Sequence, residues 1–270
     1  MTETRPLGSV SRSLTHSPDA RISAFTCVEV PVFVMFEQFH RRSNELEHLD
    51  KGDYTPEEYE GCLIELRHIN RFLGDASALR RTLFPDLRRA GLKSFSVLDV
   101  GAGSGELLRV IAAQAAREGK RARLVGLELN ARPARAILEE SREFEEISAV
   151  RGDALRLPFG DDAFDYAICS LFTHHFRDEG VIAVLRELGR VARRRIFVID
   201  LHRHPLAYYF YTTVGRIFLH NRLIREDGAL SIRRSFKPQE LRALAVRASL
   251  RNPEVRRRFP FRLVLSGSKG

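Results

Sequence analysis

A buried strand that runs directly into three closely spaced glycines constrains this chain more than any other feature. Residues 94–100 read SFSVLDV, and Gly101, Gly103 and Gly105 follow before a helical pattern over 105–119. Glycine lets a backbone turn sharply and come close to a ligand, because no Cβ stands in the way. A strand, a glycine turn and a helix in this order predict the first unit of a βαβ fold with a ligand-binding loop.

The alternation of strand and helix continues along the chain. Alternating elements of this kind favour right-handed crossovers and a parallel sheet with helices on both faces. The predicted fold class is therefore α/β, with a Rossmann-like, doubly wound sheet. Apolar runs predict the further strands at residues 123–129, 147–151, 164–170, 195–201 and 261–266, and a late helix is predicted at 238–248.

The residues before the first strand have a different character. Residues 1–34 lack periodicity, which predicts a disordered tail, or a start of translation assigned too early, because Met35 already opens a helical pattern. Residues 35–92 predict an N-terminal helical cap. Within it, one helix is expected to begin at Thr55, and a second, at residues 76–83, to stop before a proline.

Composition excludes several classes of protein. Lys and Arg number 44 against 35 for Asp and Glu, and the net charge of +9 raises the hypothesis of a nucleic-acid or anionic-membrane partner. The cysteines, Cys27, Cys62 and Cys169, are scattered, which excludes a disulfide framework and favours a cytoplasmic location. The longest apolar run, residues 25–36, falls short of the ~20 residues that a transmembrane helix needs.

The spacing of the glycines favours one kind of ligand. A dinucleotide loop reads GxGxxG, whereas position 106 is Glu, and a carboxylate in the first helical turn would repel a pyrophosphate. The loop therefore suits an uncharged adenosine-bearing ligand. Glu128, which ends the second strand, could accept hydrogen bonds from ribose hydroxyls, and Asp153 could accept one from an adenine amino group. A plain tight turn and solvated strand-end acids are the alternatives.

Four segments in this order, VLDVGAGSGE, LEL, RGDALRLPF and FDYAICSLFTHHF, resemble the class I S-adenosylmethionine-dependent methyltransferases. They are most similar to the small-molecule branch near the ubiquinone/menaquinone-biosynthesis and polyketide-phenol methyltransferases. The resemblance covers residues 95–201. It implies S-adenosyl-L-methionine as cofactor and a seven-stranded, mostly parallel sheet in the order 3-2-1-4-5-7-6. Strand 7 would be antiparallel and would correspond to residues 261–266.

The resemblance also implies a role for individual residues of this chain. The positions fall into groups for the methionine end, the ribose, the adenine, and the place beside the sulfonium and the acceptor. In that order, the groups are Asp99, Gly101, Ala102, Gly103 and Gly105; then Glu128 and Leu129; then Asp153 and Ala154; and finally Ser170 and Leu171.

Two consecutive histidines are the candidates for a catalytic base. His174 and His175 follow the fourth strand, and an imidazole titrates in the range needed to take a proton from a phenol. His175 is preferred because consecutive side chains point in different directions, and a structural role for either stays open. Asp200, His202 and His204 end the fifth strand and are interpreted as polar loop residues. No metal site is predicted, because two further carboxylates at suitable spacing are not evident.

Residues 204–236 interrupt the domain predicted at 93–270 and are rich in tyrosine and phenylalanine. The resemblance implies a substrate lid here, and a plain amphipathic helix is the alternative. The predicted function is methyl transfer to an aromatic or lipid-like small molecule of secondary metabolism, at a phenolic, quinol or polyketide-derived oxygen or carbon. The alternative is an RNA or protein methyltransferase. Residues 170–173 read SLFT where nucleobase enzymes often carry Asn/Asp-Pro-Pro-Tyr/Phe, which counts against an RNA substrate. Peripheral contact with an anionic membrane that holds the acceptor is another explanation of the charge. The oligomeric state stays open.

Overall fold

The computed structural model describes residues 36–62, 65 and 74–270. The tail predicted at residues 1–34 lies outside the described residues, as does most of the helical pattern that follows residue 62. The helix expected to begin at Thr55 does so: residues 56–62 are helical. The Thr55 amide donates to Glu58 Oε2 (3.0 Å) and the Glu58 amide to Thr55 Oγ1 (3.2 Å), which forms a capping box.

Seven strands form one sheet in the order β3-β2-β1-β4-β5-β7-β6, as the resemblance implies. Neighbouring strands from β3 to β5 are parallel, and β7 is antiparallel to both β5 and β6. The strands are β1 Ser94–Val100, β2 Arg121–Glu128, β3 Ile147–Arg151, β4 Phe164–Ser170, β5 Ala192–Leu201, β6 Arg251–Arg258 and β7 Arg262–Ser268.

Helices cover both faces of the sheet. They are α1 His48–Lys51, α2 Asp75–Arg80, α3 Leu83–Arg89, α4 Glu106–Arg117, α5 Ala131–Glu140, α6 Asp178–Val191, α7 Pro205–Thr213, α8 Gly215–Phe218, α9 Arg222–Arg234 and α10 Pro238–Arg247. A single 3₁₀ turn, Thr173–His175, follows β4.

The core consists mainly of two apolar layers, one on each face of the sheet. Along β1, Val97 packs into the layer that α3, α4 and α5 cover, and the next residue, Leu98, packs into the layer that α6 and α10 cover. Side chains of a strand alternate between the two faces, so a strand buried on both faces shows a continuous apolar run. This explains why β1 could be located from the sequence.

Two details of local structure differ from the sequence pattern. The helix expected at residues 76–83 is α2, which ends at Arg80, before Pro85. A separate helix, α3, then begins at Leu83 and holds Pro85 in its first turn, where a missing N–H costs no helical hydrogen bond. The sequence pattern also gives no strand at residues 251–258, where RNPEVRRR forms β6. This strand lies at the edge of the sheet and is largely exposed, so its arginines and proline hide the apolar pattern.

The parallel strands all end at one edge of the sheet, and the candidate site lies there. The segment after β5 crosses this edge as α7, α8 and α9, which occupy the interval predicted for a lid. We call residues 205–234 the lid segment and the described residues 36–62 the cap segment. No helix in the described ranges combines the length and apolar character needed to cross a bilayer.

Candidate active site

The glycine loop between β1 and α4 has the geometry expected of a ligand cradle. Gly101, Gly103 and Gly105 have φ values of 70°, 58° and 80°, which L-residues rarely adopt. A Cβ on Gly101 would lie 2.5 Å from the ring of Phe172, so this glycine also permits close packing. A Cβ on Gly103 would meet no atom within 4 Å, so the loop presents open space at its centre.

Two carboxylates lie beside the loop. Asp99, at the end of β1, is buried, and its Oδ1 has no hydrogen-bond partner. Glu128, at the end of β2, accepts a hydrogen bond from the Gly103 amide (2.5 Å). Burial raises the pKa of Asp99 well above its ordinary value, and the charge of Glu128 adds to the effect. Burial also raises the pKa of Glu128. The pair could therefore bind hydroxyl or ammonium donors of a ligand.

The residues assigned to the adenine lie further along the same edge. Asp153 follows β3, and its Oδ1 accepts a hydrogen bond from the Leu155 amide (2.9 Å). Ala154 is buried, whereas Leu129 is exposed. The Gly152 amide donates to the Glu128 carbonyl (3.0 Å), which places the end of β3 beside the end of β2.

A cavity of about 1690 Å³ joins the loop to the lid segment. Asp99, Ser170 and Arg262 line it and each has a buried polar atom without a hydrogen-bond partner, and such atoms are usual where a ligand binds. Its wall includes Gly101, Ala102, Gly103, Leu171, His174, His175, Phe210, Tyr211 and Phe218. Among the described residues with an assigned role, Gly105, Glu128, Leu129, Asp153 and Ala154 lie outside its lining.

His174 forms a buried pair with Asp200. Its Nδ1 lies 2.6 Å from Asp200 Oδ1, and the hydroxyl of Thr173 donates to Asp200 Oδ2 (2.5 Å). Burial alone would raise the pKa of Asp200, but the charge of His174 and the hydrogen bonds from His174 and Thr173 lower it to about 2. Asp200 is therefore ionised, and it engages only one of the two ring nitrogens of His174. With Nδ1 engaged, Nε2 of His174 is the nitrogen free to accept a proton.

His175 lies in a different environment. Its Nδ1 is 3.5 Å from Asp50 Oδ1 and 3.7 Å from Glu47 Oε2, both in the cap segment. Burial works to raise the pKa of Asp50, but His175 and Arg234 together lower it to about 2. Ligand atoms of Glu47, His174 and His175 lie within 4.8 Å of one another, a spacing that could hold a metal ion. Both imidazoles also lie beside carboxylates of the chain, His174 beside Asp200 and His175 beside Asp50.

Two arginines fix the turn that carries the histidines. Arg42 of the cap segment donates to the carbonyls of His174 (3.4 Å) and Phe176 (2.9 Å). Arg234, at the end of α9, donates from Nε to the same His174 carbonyl (3.2 Å) and from Nη2 to the His175 carbonyl (2.5 Å). The position of the imidazoles therefore depends on segments far away in the sequence.

The cap and lid segments also hold each other. Asp227 of α9 accepts hydrogen bonds from the amides of His48 (2.7 Å) and Leu49 (3.1 Å), which begin α1. Within α9, Gly228 makes room for the ring of Tyr211, because a Cβ there would overlap the Tyr211 hydroxyl oxygen. That hydroxyl donates to the Ile224 carbonyl (2.5 Å). Gly228 therefore lies inside a helix because a larger residue would displace the tyrosine.

Sequence reasoning missed three parts of this site. It interpreted Asp200 as a polar loop residue, although Asp200 ends β5 beside β4, and adjacent strand ends meet at one edge of the sheet. That adjacency was the available signal. It did not identify Arg42 and Arg234, or the buried pair of Arg262 Nε with Asp75 Oδ1 (2.5 Å), because their partners are long-range.

Comparison with known proteins agrees with the geometry. A family model described as a methyltransferase domain matches residues 97–195. The chain is 34% identical over 121 residues to a demethylmenaquinone methyltransferase of Roseiflexus sp. (strain RS-1), which covers 42% of the chain and 48% of the relative. It is 37% identical over 79 residues to the uncharacterized protein YafE of Escherichia coli (strain K12), which covers 28% of the chain and 37% of YafE. The chain thus spans less than half the length of each of these curated relatives.

The fold is also found among solved structures. A SAM-dependent methyltransferase of Aquifex aeolicus superposes with a TM-score of 0.51 at 15% identity, over 72% of this chain and 97% of the other. At that identity the likeness concerns the fold alone. The unpartnered Asp99 oxygen and the open space over Gly103 fit the cofactor that the family uses. Residues 97–195 thus match a methyltransferase domain, and the seven strands have the order that the class I resemblance implies.

Proposed function

We propose that this chain transfers a methyl group from S-adenosylmethionine to a small, apolar aromatic acceptor, at a phenolic, quinol or polyketide-derived oxygen or carbon. One observation carries the proposal: a single cavity of about 1690 Å³ is lined by the glycine loop on one side and by the lid segment on the other. A pocket for one drug-sized ligand has roughly 300–1,000 Å³. The cavity therefore has room for a cofactor and an acceptor side by side.

The class of acceptor rests on the wall of the cavity and on one relative. Phe210, Tyr211, Phe218, Leu223 and Ile224 line the side away from the glycine loop. Flat aromatic ligands pack well against such side chains. The relative from Roseiflexus is a demethylmenaquinone methyltransferase, which supports a quinone-like acceptor for this chain as well.

The residues of the glycine-loop side would hold the cofactor. When bound, S-adenosylmethionine supplies an electrophilic methyl group on its sulfonium. Asp99 would accept a hydrogen bond at its buried Oδ1, and Glu128 would exchange the Gly103 amide for ribose hydroxyls. Gly101 and Gly103 would let the backbone approach the ligand. Methyl transfer is an in-line displacement, so the main contribution of these residues is alignment.

His174 would act on the acceptor. Asp200 holds Nδ1 of the imidazole, so Nε2 can take a proton from an acceptor hydroxyl as the new bond forms. This assigns the base to His174, whereas the sequence alone favoured His175. Asp50 and Glu47 engage His175, which would position the turn and the cap segment. The apolar wall of the cavity suits a small aromatic acceptor and does not favour RNA or a protein as the acceptor.

Cofactor binding tests the first half of the proposal. Titration calorimetry with S-adenosylhomocysteine should show binding to the wild-type chain and none to Gly103→Arg, because the arginine side chain would fill the space over the loop. Gly119→Arg is the matched control, since Gly119 has nearly the same φ (61°) and the same open surroundings but lies away from the cavity. Equal affinity in all three proteins would overturn the assignment of the loop.

Transfer of a labelled methyl group tests the second half. Reduced naphthoquinols, simple phenols and total RNA should be offered to the same preparation. We expect label in the quinol or phenol fractions and background counts in RNA. Label found in RNA alone would replace the proposed acceptor with the alternative one.

A further inference from the structure

Three aromatic side chains lie at the mouth of the cavity. Phe210 of α7, Phe218 of α8 and Phe259 between β6 and β7 are 62%, 71% and 90% exposed. Each of them also lines the cavity. A side chain that is mostly exposed and yet forms part of the wall lies where the cavity opens to the outside. The lid segment and the β6–β7 hairpin therefore both contribute aromatic side chains to the mouth, and they meet where the His204 ring before α7 lies 5.5 Å from the ring of Phe261. We call Phe210, Phe218 and Phe259 the aromatic rim.

Among the described residues, the remaining exposed lining of the mouth is mainly polar. Arg132, Arg135 and Glu139 of α5 are exposed and line the cavity beside the glycine loop. Single exposed apolar residues are ordinary, but a group of them at the edge of a pocket marks an interaction surface. Leu206 and Ile217, which are also exposed, extend the aromatic rim along the lid segment. The two sides of the mouth thus have opposite character.

Exposed arginines flank the aromatic rim. Arg216 precedes Ile217 and Phe218 in α8, and Arg257 comes two residues before Phe259. Neither arginine forms an ion pair within the described residues. Arg257 lies opposite Leu263 in the β6–β7 hairpin, next to the turn that carries Phe259. Aromatic side chains beside unpaired cations are typical of peripheral membrane-binding surfaces.

We propose that the aromatic rim docks on an anionic bilayer surface, so that the acceptor passes from the lipid phase into the cavity. Phe210, Phe218 and Phe259 would enter the interfacial region, while Arg216 and Arg257 contact lipid phosphates. The polar side of the mouth would stay in water, where the cofactor exchanges. This inference rests on the proposed function for the nature of the acceptor, but docking itself does not depend on methyl transfer.

Charge favours a bilayer over a second copy of the chain as the occupant. A two-fold dimer through the aromatic rim would place the same surface of both copies face to face. Arg216 and Arg257 of both copies would then lie within one interface, and like charges at close range repel. An anionic bilayer instead offers phosphate groups to the arginines and an apolar layer to the phenylalanines.

Vesicle flotation with the full chain tests the proposal. Vesicles of phosphatidylcholine containing phosphatidylglycerol should bind the wild-type chain, and pure phosphatidylcholine should bind it at least tenfold more weakly. The variant Phe210→Ser/Phe218→Ser/Phe259→Ser should lose at least tenfold in binding to the anionic vesicles. In the variant Arg216→Gln/Arg257→Gln, binding to the anionic vesicles should fall about fivefold for each arginine replaced.

Matched controls separate the aromatic rim from general effects. Leu138→Ser/Val246→Ser removes two exposed apolar side chains that do not line the cavity, and Arg117→Gln/Arg142→Gln removes two exposed charges elsewhere. Both controls should float like the wild type. Equal flotation of the rim variants and the wild type would overturn the proposal. So would a wild-type chain that is dimeric in solution together with rim variants that are monomeric. Binding of S-adenosylhomocysteine, measured on the same proteins, reports separately on the proposed function.

Discussion

The two sides of the cavity are built in different ways. On the glycine-loop side, backbone geometry and strand ends close together in the sequence supply the contacts, as in the bond from the Gly103 amide to Glu128. On the lid side, side chains join distant segments, as Arg42 joins the cap segment to the turn at His174. Contacts made by the backbone follow from the fold itself, whereas contacts made by long-range side chains can be replaced by substitutions that leave the fold intact. The family model accordingly matches residues 97–195, which include the glycine loop and the turn at His174 but neither the cap segment nor the lid segment.

The comparison implies that the chemistry depends on single side chains of the lid side. Replacing His174 with alanine should lower kcat by about 10²–10⁴-fold, the range for loss of a general base. Affinity for S-adenosylhomocysteine should stay unchanged, because the glycine loop does not depend on the imidazole. Single-turnover methyl transfer and calorimetry on the same preparation measure the two effects.

Neighbouring variants show whether His174 acts on the acceptor or through the fold. Asp200→Asn keeps an oxygen that can accept from Nδ1, so it should retain more activity than Asp200→Ala. His175→Ala should leave kcat within about tenfold of the wild type, since one side of its ring faces carboxylates of the cap segment. Full turnover by His174→Ala, or a larger loss for His175→Ala, would reverse the assignment.

The next largest effect concerns the buried ion pair that ties α2 to the sheet. Arg262 Nε lies 2.5 Å from Asp75 Oδ1, and both side chains are almost fully buried at the cavity. Removing one partner of a buried pair leaves an uncompensated charge, at a cost of about 3–5 kcal/mol. Asp75→Asn should lower the free energy of unfolding by this amount in urea titrations. Glu254→Gln breaks an exposed ion pair on β6 and should leave the midpoint of urea unfolding unchanged. Equal losses of stability in Asp75→Asn and Glu254→Gln would contradict the role of burial.

The same division explains how much could be predicted from the sequence. The strand before Gly101 and the position of Glu128 depend on local pattern, and both are where the pattern places them. Arg203 shows the opposite case. It is buried, and it donates to the carbonyls of Phe39 and Ser235 and to Glu240, so it joins the cap segment, the end of α9 and α10. Nothing near it in the sequence indicates these partners, because a charged residue normally predicts exposure.

Acid should reveal the buried carboxylate of the lid side. The pKa of Asp200 is lowered from 3.8 to about 2, so its stabilising effect is complete above pH 3.8 and is lost as the pH falls through about 2. This carboxylate contributes about 2 kcal/mol to the free energy of unfolding near neutral pH. Unfolding titrations between pH 6 and pH 2 should therefore show a decline that is smaller by this amount in Asp200→Asn.

An exposed carboxylate supplies the reference for that titration. Glu139→Gln removes an acid from the polar side of the mouth and should follow the wild-type profile. If Asp200→Asn declines as steeply as both, the carboxylate is not held ionised by His174. The proposed state of the imidazole would then be wrong as well.

The smallest effect compares packing beneath the two sides. Ile137 of α5 packs on the glycine loop: its Cδ1 lies over Gly126 and its Cγ2 over Gly105. Ile137→Val removes Cδ1 and should cost about 1 kcal/mol of stability. Ile224 belongs to a much smaller apolar cluster between the cap and lid segments, with Cys62 and Leu223. Ile224→Val should therefore cost less, because such a cluster can close around the lost methyl group more easily. Equal costs in thermal unfolding would mean that the lid side is packed as tightly as the sheet, and that its long-range contacts are as rigid as the glycine loop.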